Sequence, residues 1–370
     1  MIRPCTMFSI ALLSIPTLIS FAIADPIDDI VRAAMEKRSI PGLALTIVKE
    51  GQTVKDAVYG QANVELGVAV TPQTLFPIAS VTKVFTASLI MKMVEQKALS
   101  LDDVVGNSIP NLPETWKPVT VRQMLAHTSG LPDVIVNPIT GEWLAQTRDE
   151  TLAKAAALPM QFEPGTAWSY NQTNYILLGM ILESKSGKSF ETLVADSIFV
   201  PLEMKSTVFG DARTIVPGRG AWYSRIDFSG PQPRLSETPY PTWVTYPPFV
   251  HTCAGLNTSA AELARFVDAV AMGKLLTPQT VASMWQRQKL KDGTPAGMDE
   301  ATGMTLGWIY EEYDGHPWIG GTGGATVAFR HDVEAKLTVV VLTNCQGADP
   351  DGLATEILQR TAEGQDPKQN

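Results

Sequence analysis

Two runs of strand-forming residues lie near opposite ends of this 370-residue chain, and mostly helical patterns fill the space between them. Leu43–Val48 and Thr53–Tyr59 read as strands joined through Glu50-Gly51, a hairpin signal. Leu337–Leu342 is strongly β-branched and closes at Thr343-Asn344. Asp28–Arg38, broken by Pro41-Gly42, reads as an amphipathic helix ahead of the first strands, and Gly352–Ala362 reads as a terminal one. Further helices are predicted over 121–126, 150–157, 174–184, 190–199 and 260–271. This order implies one antiparallel β-sheet assembled from both chain ends and flanked by helices, beside an all-helical lobe. The expected class is therefore α+β, an α/β sandwich. Its sheet lobe covers about 25–85 and 250–365, its helical lobe about 86–249, and a site lies in the crevice between them.

The first 24 residues read as a secretory signal: Arg3 near the start, an apolar run over Met7–Ile23, and Ala22-Ile23-Ala24 as a cleavage site before Asp25. The alternative is an uncleaved anchor, because the run approaches membrane-spanning length. Cys5 precedes the apolar stretch, which is not where a lipoprotein cysteine stands. A signal places the mature domain, 25–365, in the periplasm or medium, with no membrane insertion after processing. With 29 basic against 38 acidic residues and a net charge of −9, nucleic acid and anionic membrane surfaces are poor partners. The mature chain keeps Cys253 and Cys345, as a disulfide or as buried thiols. Val216–Val250 holds seven prolines and several aromatics, among them Trp222, Tyr223, Trp243 and Tyr246, with no clear period. It reads as a packed surface loop or as an aromatic wall over the cleft.

Chemistry concentrates at Ser80-Val81-Thr82-Lys83. A serine hydroxyl is a weak nucleophile at neutral pH and needs a neighbouring base. A lysine three positions later on a helix stands one turn away on the same face. The pattern from Val81 to about Lys97 is helical, with Val84, Ala87, Ser88, Met91 and Val94 on one face and few polar residues on the others. That describes a buried helix with the serine at its N-terminus, where backbone N–H groups favour a developing negative charge. In isolation the tetrad also fits a serine cap followed by a solvated lysine.

Several separated segments together resemble the serine β-lactamase and penicillin-binding-protein superfamily, in the class C β-lactamase-like branch that includes family VIII carboxylesterases. They are Phe76-Pro77-Ile78-Ala79-Ser80-Val81-Thr82-Lys83, Ala98–Asp103, Met124–Pro132 with its His127-Thr128-Ser129-Gly130, Phe162–Thr166, Leu177-Leu178-Gly179 and Ala254-Gly255-Leu256. The resemblance implies an antiparallel sheet flanked by helices beside a helical lobe. It also implies Ser80 as nucleophile and a base shared between Lys83 and Tyr170, the latter in the place of the family's Tyr-x-Asn tyrosine.

The family's oxyanion hole combines the nucleophile's own N–H with one from a strand carrying a Lys-Thr-Gly or His-x-Gly motif. Counting back without gaps from Leu337–Asn344 sets Trp318-Ile319-Gly320 on that motif and Gly321 N–H as second donor, with Trp318 and Gly320 against substrate. A rival register sets Gly321-Thr322-Gly323 there at the cost of a deletion. Trp318 in place of a cation resembles the Trp-x-Gly esterases of the branch. Gln172 replaces the usual asparagine, and its extra methylene puts contacts to substrate or Lys83 in doubt.

These readings point to an exported serine hydrolase acting on a small-molecule ester or peptide-like substrate through an acyl-enzyme. A D-amino-acid peptidase, DD-carboxypeptidase or weak β-lactamase would use the same residues, and a catalytically idle cell-wall binder or scaffold is the alternative of another class. No metal and no cofactor is expected, since the four histidines show no ligand spacing and His127 reads as a hydrogen-bonded buried residue. No Gly-x-Ser-x-Gly elbow is present, and oligomeric state is left open.

Overall fold

The computed structural model describes residues 25–137, 142–227, 232–299, 301–313, 315–362 and 364. The expected signal at 1–24 lies outside them. Continuous apolar runs at the two chain ends form adjoining interior strands of an eight-stranded sheet. Gly42–Lys49 pairs antiparallel with Leu337–Thr343, in register from Leu43 opposite Thr343 to Lys49 opposite Leu337. Outward from Gly42–Lys49 lie Gln52–Asn63 and Val68–Ala69; outward from Leu337–Thr343 lie Val327–Asp332, His316–Gly323, Ile309–Tyr313 and Thr302–Met304. The sheet thus draws on both ends of the chain, and these two adjoining interior strands are buried on both faces.

Period-two alternation divides those strands between two cores. Leu43, Leu45, Ile47, Val339 and Val341 pack with Ile27 and Val31 of the Pro26–Arg38 helix and Leu353 and Ile357 of the Pro350–Ala362 helix. Ala44, Val48, Val340 and Leu342 face the larger core, which includes Val84 and Ala87 of Thr82–Glu95 and Phe266 of Ala260–Ala271. Thr82–Glu95 is buried continuously from Thr82 to Met91, so it shows little amphipathic contrast. Its N-terminus continues from a 3₁₀ turn, Ala79–Val81, which carries Ser80.

The stretch over 223–241 departs from the expected plan. Within the stretch read as an all-helical lobe, Tyr223–Asp227 and Arg234–Pro241 form an antiparallel hairpin, and Tyr223 pairs in parallel with Cys345. The prolines at 239 and 241 mask this strand, and its partner lies over 100 residues away, as the pairing shows. Cys253 and Cys345 are both buried free thiols. Among the described residues, no helix is long and apolar enough to cross a membrane.

Candidate active site

Ser80 is half-buried at the mouth of the cleft, one residue after Ala79, which holds a left-handed φ of 42°. That conformation is costly for a residue with a Cβ and is typical of backbone held in place for function. One turn on, Lys83 is only 4 % exposed. Its Nζ donates to Ser80 Oγ at 3.3 Å, Gln172 Oε1 at 2.7 Å and the Cys253 carbonyl at 3.1 Å. All three ammonium donors therefore have acceptors. The extra methylene of Gln172 does not break the contact: the amide reaches Lys83 from the first turn of the Gln172–Ser186 helix.

Tyr170 stands over the lysine, 40 % exposed. Lys83 Nζ lies 4.8 Å from the centroid of the Tyr170 ring, a cation–π contact. The Tyr170 hydroxyl has no hydrogen-bond partner among the described residues, so lysine and tyrosine meet through the ring face. Behind them His127 packs on Tyr170, with ring centroids 4.5 Å apart. His127 Nδ1 accepts the Asn171 N–H at 3.1 Å, so the neutral ring carries its proton on Nε2. Burial, with Lys83 adding to it, holds the His127 pKa well below the usual histidine range.

The segment around His127 is fastened to the start of the Gln172–Ser186 helix. Ser129 Oγ donates to Asn174 Oδ1 at 2.6 Å, Asn171 Nδ2 to the Leu131 carbonyl at 2.6 Å, and Thr173 Oγ1 to the Pro132 carbonyl at 2.7 Å. Gly130 has φ +70°, and a Cβ there would lie 2.0 Å from the Phe162 carbonyl oxygen, so only glycine fits. The same segment delivers Asp133, which sequence reasoning missed. Its Oδ1 accepts the backbone N–H groups of Val134 at 2.8 Å and Gln172 at 3.0 Å, with a longer bond of 3.4 Å from Ile135. Burial raises the Asp133 pKa against the lowering effect of those bonds and of Lys83. No local pattern marks this aspartate, because Gln172 is brought to it only by the fold.

The glycine-rich strand corrects the expected register. Trp318 is 3 % exposed and packs in the core on the far side of the sheet, with Ala328, Val339 and Leu353, and stacks on Tyr313. It does not line the cleft. A Cβ at Gly320 would meet Arg330, whose guanidinium pairs with Glu311 and Asp351. Gly320 still contributes backbone to the cleft wall, as does Gly321. A Cβ at Gly321, however, would point at the Phe329 ring, while one at Gly323 would lie 3.0 Å from the Ser80 nitrogen. Gly323, not Gly321, therefore abuts the nucleophile, which is the Gly321-Thr322-Gly323 register.

The physical reason is the short turn that follows. Gly324 and Ala325 both take left-handed φ, 59° and 54°, and the Thr326 N–H donates to the Gly323 carbonyl at 3.1 Å. This tight reversal pairs Gly323 with Val327. A shift of three residues, being odd, also exchanges the two faces of the strand.

Two chambers meet at Ser80, Tyr170, Gly324 and Ala325. One, of about 300 Å³, is lined by Lys83, His127, Trp168, Met298, Met304 and Ile309. The other, of about 410 Å³, is lined by Asp133, Trp143, Gln172, Trp222, Tyr246 and Gln346. Trp222 and Tyr246 come from the proline-rich stretch, which supplies one aromatic wall of the cleft. Among the described residues there is no cluster of metal-ligating side chains.

Comparison with known proteins finds relatives along most of this chain. Protein flp of Staphylococcus aureus (strain MW2) is 28 % identical over 291 residues, covering 76 % of this chain and 55 % of its own length. The chain thus spans about half the length of the curated relatives it matches. The octameric penicillin-binding protein homologue from Pyrococcus abyssi is 29 % identical, with a TM-score of 0.75 over 93 % of this chain and 78 % of its own. EstCE1, a hydrolase with promiscuous acyltransferase activity, shares the fold at 21 % identity, with a TM-score of 0.71 over 89 % of this chain and 97 % of its own. The Beta-lactamase family profile matches residues 27–362, nearly all of the described chain, and the protein belongs to that family.

Proposed function

We propose that this protein is an exported hydrolase that cleaves esters lacking a carboxylate through an acyl-enzyme on Ser80. The observation that carries the reading is the buried Lys83 side chain, whose Nζ lies 3.3 Å from Oγ of the half-buried Ser80 at the junction of two chambers. Ser80 Oγ attacks the ester carbonyl and passes its proton to whichever member of the Lys83–Tyr170 pair is deprotonated for the step. That member is a neutral lysine amine or a tyrosine phenolate, since an ammonium beside a phenol has no site to accept it. Negative charge builds on the carbonyl oxygen against the Ser80 N–H and a second N–H where the His316–Gly323 strand ends. In the register set by Gly323, that second donor is Gly324. The alcohol leaves with the proton from the pair, and water then releases the acid by the reverse sequence.

Charge supports the substrate class. Lys83 is the single cation lining either chamber among the described residues, and its three donors are already engaged. His127 is kept neutral by burial. A substrate carboxylate would find no free counter-charge, whereas a charge-assisted contact would contribute about 1.5–3 kcal/mol. The esterase reading therefore rests on Gly321 at the motif's cationic position rather than on Trp318.

The test is labelling by a fluorophosphonate and by a fluorescent penicillin, with the adduct located, beside kinetics on nitrophenyl acetate and butyrate, nitrocefin and D-alanyl peptides. Ser80 labelling and short-ester turnover are expected. Faster hydrolysis of nitrocefin or the peptides would replace the esterase reading with a lactamase or peptidase one, and no labelling would favour an idle binder. N-terminal sequencing of the exported form is expected to return Asp25; Met1 would indicate an anchor.

A further inference from the structure

The larger chamber has a chemical character that ester hydrolysis does not require. Among the described residues, Asp133 is the one charged residue lining it. Its Oδ1 takes all three backbone N–H groups, and no described residue donates to Oδ2. Gln346, 4 % exposed, also lines the chamber, and its Oε1 is buried with no hydrogen-bond partner. Unsatisfied buried acceptors are rare, and each calls for an explanation. The same chamber is lined by the rings of Trp143, Trp222, Tyr170 and Tyr246. A carboxylate and an amide oxygen within aromatic walls suit a cation, which the ring faces attract and the carboxylate neutralises. The raised Asp133 pKa is consistent, since an arriving cation would offset the burial that raises it.

The chambers also differ in which half of a substrate they can hold. Lys83 lines the methionine-bearing chamber but not the aromatic one. The leaving alcohol is protonated from the Lys83–Tyr170 pair, and although Tyr170 borders both chambers, Lys83 borders only the former, which favours departure there. The acyl half is left facing Asp133.

We propose that the aromatic chamber is an ammonium subsite for the acyl group, with Asp133 as counter-charge and Gln346 as second acceptor, so that amino-acid esters are the preferred substrates. This rests on the Ser80 acyl-enzyme reading. The test compares kcat/KM at about pH 6.5 for phenylalanine methyl ester, in both enantiomers, with methyl 3-phenylpropanoate, which lacks only the amine. At least one enantiomer is expected to exceed the neutral ester about tenfold or more. Asp133→Asn keeps the Oδ1 acceptor and should bring that ratio close to one. Moving the amine to the alcohol half, in 2-aminoethyl 3-phenylpropanoate, should give no such preference. A ratio of one or less in wild type, or a ratio unchanged by Asp133→Asn, overturns the subsite. Ser80-dependent hydrolysis of the neutral ester would meanwhile leave the acyl-enzyme reading intact, and its absence would remove that reading first. Should the variant not fold, wild-type inhibition decides: phenethylammonium should compete with nitrophenyl butyrate about tenfold better than 2-phenylethanol, and equal inhibition refutes the proposal.

Discussion

Gly323→Ala is the substitution that most directly probes how the catalytic serine is held. The added Cβ would lie 2.4 Å from the Ile78 carbonyl oxygen and 3.0 Å from the nitrogens of both Ser80 and Val81. An ordinary contact is about 3.5–4 Å, so the strand end and the 3₁₀ turn must part by about 1 Å. Every atom in the way is backbone, and a side-chain rotation cannot relieve it. Gly323 does not have a left-handed φ, so alanine meets no conformational penalty and the effect is purely steric. Overpacking of this kind costs about 1–3 kcal/mol of stability. The larger effect falls on chemistry: moving Ser80 about 1 Å from its oxyanion donors can cost about 10²-fold in turnover. The control is Gly42→Ala, whose Cβ would lie 2.3 Å from the Gln61 carbonyl oxygen, an equal clash that touches no cleft residue. Both variants should melt earlier, but with nitrophenyl butyrate only Gly323→Ala should lose kcat per folded molecule. If Gly323→Ala keeps kcat within about threefold of wild type, or the two variants lose it equally, Gly323 does not position the nucleophile.

Three further outcomes are expected. Ser80→Ala should fold normally yet lose covalent labelling and turnover by a factor on the order of 10⁶, and activity within about tenfold of wild type would remove Ser80 from the mechanism. Gln172→Ala leaves the buried Lys83 ammonium without its 2.7 Å acceptor and should lower stability by about 1.5–3 kcal/mol, read by denaturant unfolding, with kcat falling too; a silent variant would show that the amide does not hold the lysine. His331 is buried against Thr338, and burial pushes its pKa down from 6.5 to about 4. As pH falls below 6.5 the unfolded chain takes up a proton that the folded chain refuses, so His331 lowers stability by about 3 kcal/mol between pH 6.5 and 4. His331→Gln should flatten that part of the unfolding profile, and an identical pH dependence would refute the assignment.

What the sequence disclosed follows from how locally each feature is determined. The interior strands Gly42–Lys49 and Leu337–Thr343 and the helix Thr82–Glu95 are buried on all sides, so their apolar runs need no long-range knowledge to be read. The proximity of Ser80 and Lys83 is equally local, being one helical turn. Three regions were not legible. Thr302–Met304, Ile309–Tyr313 and His316–Gly323 carry too many glycine and charged residues to look like strands, and they are held by their neighbours in the sheet. The Tyr223–Asp227 hairpin is likewise completed by a partner near the other end of the chain. Asp133 is given its place by Gln172, 39 residues away.

The register of the glycine-rich strand shows the limit most sharply. Counting residues back from Leu337 assumes a turn of the family's usual length, and nothing in Gly323-Gly324-Ala325-Thr326 states otherwise until the backbone is seen to reverse at two left-handed residues, one of them alanine. An alanine at φ 54° carries a strain of about 1–2 kcal/mol that glycine would not. The turn nevertheless stands where both chambers meet Ser80. By ending the strand at Gly323 it leaves the following backbone beside the nucleophile rather than in the sheet. Local strain at Ala325 and at Ala79, on the two sides of Ser80, is thus coupled to the same geometric requirement. The strand must approach the nucleophile turn closely and then stop, so that one backbone N–H is free for the oxyanion instead of for a neighbouring strand.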